Sequence, residues 1–215
     1  HVSEHVDPER LTSQLDALPL ESTLVVVVTK SGTTVETMSQ FALVYDRLVG
    51  EVGRERADDH CVAVTSPDSG GLRRLAERRD FKTFAIPSNV GGRFSVLSPV
   101  GLVPMALAGY PIRELLEGAR LARQQAFEPS PPDSALFRAV ADAYLLYEQG
   151  IDEFVMMAYG SRLETLVDWF RQLWAESLGK AQNRDGEPVH EGITPVKAVG
   201  TVDQHSQVQL YMEGP

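Results

Sequence analysis

Cysteine is nearly absent: Cys61 stands alone among 215 residues. No internal disulfide can form, and a cysteine-based metal cluster is excluded. Positive charge is short as well, with 20 Lys and Arg against 30 Asp and Glu and a formal charge of −10. That balance argues against a broad basic face for nucleic acid. No unbroken apolar run approaches the ~20 residues that cross a bilayer. The opening residues HVSEHVDPER carry no signal-peptide pattern and no initiator Met. A soluble, acidic, cytoplasmic protein is expected, with neither a nucleic-acid nor a membrane partner, and the missing Met points to a piece of a longer chain. The five histidines show no metal-ligand spacing, and H-E-x-x-H does not occur. G-x-x-x-x-G-K-[ST] and G-x-G-x-x-G are missing too, which speaks against a P-loop nucleotide site and a Rossmann oxidoreductase.

What is present suits a folded core, since apolar residues make up 43% of the chain and charged residues 23%. Residues 2–6 read as a short edge strand. Asp7-Pro8 reads as a helix start, with Leu11, Leu15 and Leu18 on its period. Residues 24–29 form a β-branched run without polar alternation, as in a parallel strand covered on both faces. A polar loop follows, then a helix carrying Val35, Met38, Phe41, Ala42 and Tyr45. The alternation continues with a strand at 61–65, a helix at 72–79 and a strand at 83–86. The Gly loop 88–93 then leads into a small-residue helix at 96–108. Such a succession predicts an α/β fold with parallel sheets. A charged helix at 111–125 and the linker-like stretch 128–133 (EPSPPD) separate this from a second cycle: helix 134–148, strand 153–158, loop 159–161 and helix 162–178. Residues 180–192 read as irregular and 202–212 as a final helix. The expected division is 1–110, a connecting helix and linker at 111–133, and 134–215.

Four segments have the composition of a site. TKSGTT (29–34) places hydroxyls and free amides at a helix start, where the helix dipole favours an anion; the plainer reading is a turn in which Thr33 or Thr34 caps the helix. NVGGRFS (89–95) lets two glycines aim a guanidinium, which suits a planar anion, or it is a loop with a surface Arg. In helix 162–178, Leu163, Leu166, Val167, Phe170, Leu173, Trp174 and Leu178 form one apolar face. Thr165, Trp169, Gln172 and Glu176 lie opposite. There Glu176 either occupies a partly dry pocket with its pKa raised toward working pH, or belongs to a solvated face. In GTVDQHSQ (200–207), His205 is either a proton shuttle or a hydrogen-bonded surface histidine. Cys61, inside an apolar strand, reads as a buried small hydrophobe.

Together VVVVTKSGTTVET (25–37), NVGGRFSVLSPVG (89–101), QLWAESLGK (172–180) and GTVDQHSQVQLYMEGP (200–215) closely resemble the bacterial glucose-6-phosphate isomerase family, in family order across nearly the whole chain. The resemblance implies two sugar-isomerase (SIS) units, each a three-layer α/β/α arrangement around a parallel sheet. It implies that Thr29, Lys30, Ser31 and Thr34 contact the sugar phosphate, Lys30 chiefly through its backbone. Arg93 then lies beside the reacting carbons, Gln172 faces substrate, Glu176 is the catalytic base, and His205 assists ring opening from a neighbouring subunit of a homodimer. No metal or cofactor is implied. A Gly-Gly-Ser loop that completes the phosphate site would precede His1, and a catalytic lysine would follow Pro215. The chain thus resembles the middle of the family's enzyme, with both SIS units incomplete and sheet edges left open. A non-catalytic SIS module that senses sugar phosphates and a bifunctional glucose/mannose-phosphate isomerase remain as alternatives.

Overall fold

The computed structural model describes residues 1–3, 5–128 and 130–214. The chain divides into two compact units, His1–Leu116 and Glu117–Pro215.

In the first unit, α1 (Pro8–Asp16) begins where the sequence signals it: the Asp7 carboxylate accepts from the amides of Glu9 at 2.9 Å and Arg10 at 3.2 Å. The edge strand expected at 2–6 is not formed among the described residues. Val2 and Val6 bury no face, and the segment is held by side chains instead. Ser3 Oγ donates to Gln40 Oε1 at 2.6 Å, and Gln14 Nε2 to the Val2 carbonyl at 3.3 Å. The chain continues through β1 (Val25–Val28), α2 (Val35–Val52), α3 (Arg54–Asp59), β2 (Cys61–Thr65), α4 (Gly71–Arg79), β3 (Lys82–Ala85) and α5 (Pro99–Leu107). The strands lie in the order β1-β2-β3, all parallel, with Val25 opposite Cys61 and Val62 opposite Lys82. Every residue of the central strand β2 is buried, which suits the apolar run Cys61–Val64, and the buried Thr65 hydroxyl donates to the Lys30 carbonyl. Around it pack Val27, Phe41, Leu48, Leu72, Ala76 and Phe81. Leu48 and Leu72 are fully buried, each contributing about 1.5–3 kcal/mol of apolar transfer free energy.

The division between units falls inside α6 (Ile112–Phe127). Of the linker-like stretch 128–133, residue 129 lies outside the described residues. Pro131–Asp133 makes a single 3₁₀ turn, and the buried Ser134 closes it by donating to the Ala126 carbonyl at 2.9 Å. The second unit continues with α7 (Ala135–Tyr147), β4 (Glu153–Tyr159), α8 (Glu164–Leu178), β5 (Lys180–Gln182), β6 (Pro188–Glu191), β7 (Thr194–Gly200) and α9 (Val202–Glu213). β4 and β7 pair in parallel over their whole length, from Glu153 opposite Thr194 to Tyr159 opposite Gly200.

Two features here correct the sequence reading. Residues 180–192 are not irregular: β5 and β6 form an antiparallel hairpin, because Asn183 Oδ1 accepts from the amides of Asp185 and Glu187 and bends the chain. The strand β7 lies outside the elements that the sequence pattern predicts. Lys197 interrupts its apolar pattern, and the structure accommodates that charge by an ammonium that donates to Glu164 at 3.0 Å and Asp168 at 2.9 Å. Hydrogen bonds to Asp168 and then Glu164 hold the Lys197 pKa above its ordinary value.

Candidate active site

Parallel strands in register end side by side, so the segments after β1, β2 and β3 all leave from one edge of the first sheet. That carboxyl edge is where open parallel sheets place their ligand sites. Thr29 extends β1 by one more ladder bond, donating from its amide to the Val64 carbonyl at 3.0 Å. Its side chain is buried; Oγ1 lies 3.1 Å from Thr34 Oγ1 and accepts from the Gly32 amide at 3.2 Å. Ser31 Oγ accepts from both the amide and the hydroxyl of Thr33. Thr34 does occupy the position before α2, yet its hydroxyl is engaged with Thr29 and no side-chain cap bond is made there. The helix therefore presents uncapped amides beside the exposed hydroxyls of Ser31, Thr33 and Thr34, an arrangement suited to phosphate.

A neighbouring loop that the sequence reading did not single out holds this one in place. Gly32 sits in the left-handed region at φ +64°, and a Cβ there would come within 2.3 Å of the Leu72 nitrogen. A Cβ on Gly70 would meet the Ser31 oxygen at 2.4 Å, and one on Gly71 the Gly32 oxygen at 2.5 Å. Backbone thus lies directly on backbone, which only glycines allow. The available signal was the Gly70-Gly71 pair, set after strand β2 and at the start of α4.

Lys30 sends its side chain to the loop after β3. Its ammonium donates to the carbonyls of Ser88 and Val90, at 2.8 Å each. Arg93 follows in a 3₁₀ turn, Gly92–Leu97, half-buried, with its guanidinium carbon 4.7 Å from the centre of the Phe94 ring. The expected helix at 96–108 starts later, at Pro99. The 3₁₀ turn intervenes, tied by Ser95 Oγ donating to Gly92 O and Ser98 Oγ to Ser95 O, before Ser98 caps α5 through the Val100 amide. A cleft of about 350 Å³ also opens in this unit, lined by Met38, Phe41, Tyr45, Leu75, Arg79 and Phe81 among others. None of the candidate residues borders it.

The second unit carries Gln172, Glu176 and His205. Gln172 Nε2 donates to Glu176 Oε1 at 2.9 Å, as residues one turn apart on a helix can. Glu176 is exposed in its unit rather than enclosed in a dry pocket, because the apolar stripe of α8 draws the opposite face to the sheet. That stripe is also narrower than the spacing predicts. Val167 is fully buried and Phe170 and Trp174 stack with Phe154, at 5.5 and 4.7 Å between ring centres, whereas Leu163, Leu166 and Leu178 stay exposed. Trp174 Nε1 donates to the Ile193 carbonyl at 3.1 Å, fixing the end of α8 beside the start of β7. His205 is exposed in the first turns of α9, which leaves the opposite end of the same strand. Asp203 holds that start: its carboxylate accepts from the Val199 amide at 2.7 Å and from Ser206. The Val199 bond holds its pKa below the ordinary value. Seven residues of β7, at about 3.3 Å each, put the ends of the strand roughly 20 Å apart. Glu176 and His205 of one chain are therefore not brought together.

Among the described residues, no group of three or more His, Cys, Asp or Glu side chains is placed to hold a metal ion. No helix among them is long and apolar enough to cross a membrane.

Comparison with known proteins places these features in context. The sequence model of the family described as phosphoglucose isomerase matches residues 1–215. The glucose-6-phosphate isomerase of Carboxydothermus hydrogenoformans is 48% identical over all of this chain and 46% of its own length. That of Thermus thermophilus is 44% identical, over all of this chain and 50% of its own length. The chain spans about half the length of the curated relatives it matches. Among solved structures, a hypothetical protein from Thermus thermophilus superposes with a TM-score of 0.92 at 44% identity, over all of this chain and 50% of the other. A glucose-6-phosphate isomerase from Chlamydia trachomatis superposes at 0.83 with 28% identity, over 98% of this chain and 41% of the other. The α/β fold with parallel sheets is common to these structures.

Proposed function

Because the chain belongs to the phosphoglucose isomerase family, we propose that it supplies the reacting centre of an enzyme interconverting glucose 6-phosphate and fructose 6-phosphate. The observation that carries this reading is the loop 29–34: paired hydroxyls and uncapped amides at the carboxyl edge of a parallel sheet. Thr29, Ser31, Thr34 and the backbone of Lys30 take the phosphate. Its two units, with 1–110 and 134–215 as their bodies and 111–133 between them, act as SIS-type domains. The relatives are themselves isomerases, so a non-catalytic sensing module is not favoured.

The chemistry is a proton transfer between adjacent carbons. His205 moves a proton between the ring oxygen and a hydroxyl, opening the sugar. Glu176 removes the C2 proton and returns it at C1 through a cis-enediolate, and Gln172, already bonded to that carboxylate, faces the substrate. Arg93 stabilises the charge developing on the enediolate, and a preorganised cation in that position contributes strongly to the rate. The scheme calls on no metal or cofactor. The separation of Glu176 and His205 at opposite ends of β7 supports a working histidine supplied by a second copy of the chain in a homodimer. The sugar phosphate and that second copy are the partners, and the cytoplasm, where sugar phosphates are made and used, is the compartment.

The deciding experiment uses Glu176→Gln in the full-length protein. General-base catalysis is typically worth ~10²–10⁴-fold, so exchange of the C2 hydrogen with solvent deuterium, followed by NMR, should fall at least that far while substrate still binds. Exchange at the parental rate would remove Glu176 from the mechanism.

A further inference from the structure

Two loops separated by 58 residues of chain are joined through one ammonium group. Lys30 leaves the phosphate loop and donates to the carbonyls of Ser88 and Val90, at 2.8 Å each. An ammonium has three donors, and two of them are committed to main-chain oxygens. At the other end of the same residue, the Lys30 carbonyl accepts from the Ser66 amide at 3.2 Å, so its backbone is anchored to the segment after β2. We propose that the Lys30 side chain is a positioning residue: it holds the loop that carries Arg93 against the loop that takes the phosphate, and is not itself a phosphate ligand.

The need for such a hold follows from the sequence around Arg93. Gly91 and Gly92 come directly before it, and glycine leaves the backbone freer than any other residue. The bonds of Val90 N to Pro87 O and of Phe94 N to Gly91 O are local turns that close within the loop. The Lys30 bonds instead reach across to the end of β1. They grip the chain at Val90, just ahead of the two glycines, and so set where the arginine begins. A catalytic arginine displaced by ~1 Å can cost about 10²-fold in rate.

The role assigned to Arg93 rests on the isomerase reading, so the test keeps the two apart. In the full-length protein, Lys30→Met removes the donors while keeping an unbranched stem, and Lys30→Arg restores them. Hydrogen–deuterium exchange of amides 90–95 reads the hold without any activity. It should rise about 10-fold or more in Lys30→Met, with β2 unchanged, and return toward the parental value in Lys30→Arg. Unchanged exchange overturns the proposal. Should Lys30→Met not accumulate as folded protein, Lys30→Leu, which also lacks a donor, goes through the same measurement with the same two outcomes.

Kinetics then separates positioning from ligation. Positioning lowers kcat and leaves the affinity for inorganic phosphate within about 3-fold; a direct ligand weakens phosphate binding with kcat intact. Lys30→Met added to Arg93→Gln should cost less than about 3-fold more, because coupled residues are not additive; a full multiplicative loss refutes the coupling. If Arg93→Gln alone leaves kcat unchanged, the reading of Arg93 fails, while the exchange data still decide what Lys30 does.

Discussion

Thr29 and Thr34 meet hydroxyl to hydroxyl, Oγ1 to Oγ1 at 3.1 Å, across the base of the loop 29–34. The pair gives the loop its closed form, since Thr29 Oγ1 also accepts the Gly32 amide while its own side chain is buried. One hydroxyl is thus carried by a buried residue and the other by an exposed one.

Thr29→Val keeps the branched shape and deletes the anchor. The Gly32 amide, which is buried, then loses its acceptor, a loss worth about 1–3 kcal/mol. An unfolding free energy in urea lowered by that amount, together with weaker fructose 6-phosphate binding by calorimetry, is the expected result. Ser31→Ala, at an exposed position, should weaken binding with the midpoint nearly unchanged.

Two glycine substitutions should have opposite signs. Gly71→Ala drives a Cβ to 2.5 Å from the Gly32 carbonyl oxygen, where backbone has to move, whereas a Cβ on Gly50 meets nothing within 4 Å. Gly71→Ala should destabilise by about 1–3 kcal/mol and loosen phosphate binding with it. Gly50→Ala, inside α2, should stabilise by about 0.5–1 kcal/mol. Thermal or urea unfolding of the two variants side by side checks both.

Alkaline pH should weaken the first unit. Burial pushes the Cys61 thiol from its ordinary 9.0 up to about 12, with the Asp58 charge adding to it. Burial and then the hydrogen bond to Asp58 raise the Tyr45 phenol from 10.0 to about 12. Both groups keep their protons longer when folded than when unfolded. Their contribution is therefore fully present below pH 9 and is lost as pH rises from 9 through 12. Unfolding midpoints measured from pH 8 upward should decline over that window, less steeply in Tyr45→Phe. Cys61 should stay unreactive toward a soluble disulfide reagent at pH 8 until the protein is denatured.

His205 should matter for the ring and not for the carbon acid. Full-length His205→Ala should turn over glucose 6-phosphate slowly yet keep C2 proton exchange with an open-chain aldose phosphate. Equal losses on both substrates would refute that division of work.

How far the sequence could be read depended on how local each signal was. β2 was legible from Cys61 to Thr65 because all five residues are buried and four of them are apolar. α1 was legible because Asp7 and Pro8 act on the next few amides. β7 was not, since Lys197 is tolerated only through Glu164 and Asp168, some thirty positions earlier. The α8 stripe was over-read, because its period marks which side faces the sheet but not how far β4 and β7 extend beneath it. At the site, the hydroxyls and the glycine of 29–34 announced themselves. The partners that shape the loop, Gly70, Gly71 and the carbonyls of Ser88 and Val90, are chosen by backbone proximity, which leaves only a faint mark in residue type.

The acceptors that Lys30 finds at 88 and 90 are main-chain oxygens, and every residue type carries one. Descendant sequences can therefore replace Ser88 and Val90 freely without disturbing the join, provided the backbone keeps its path. Paired substitutions between 30 and 88–90 should be rare, so a statistical search for co-evolving positions would pass over the contact. The lineage would retain a lysine at 30 beside neighbours that drift.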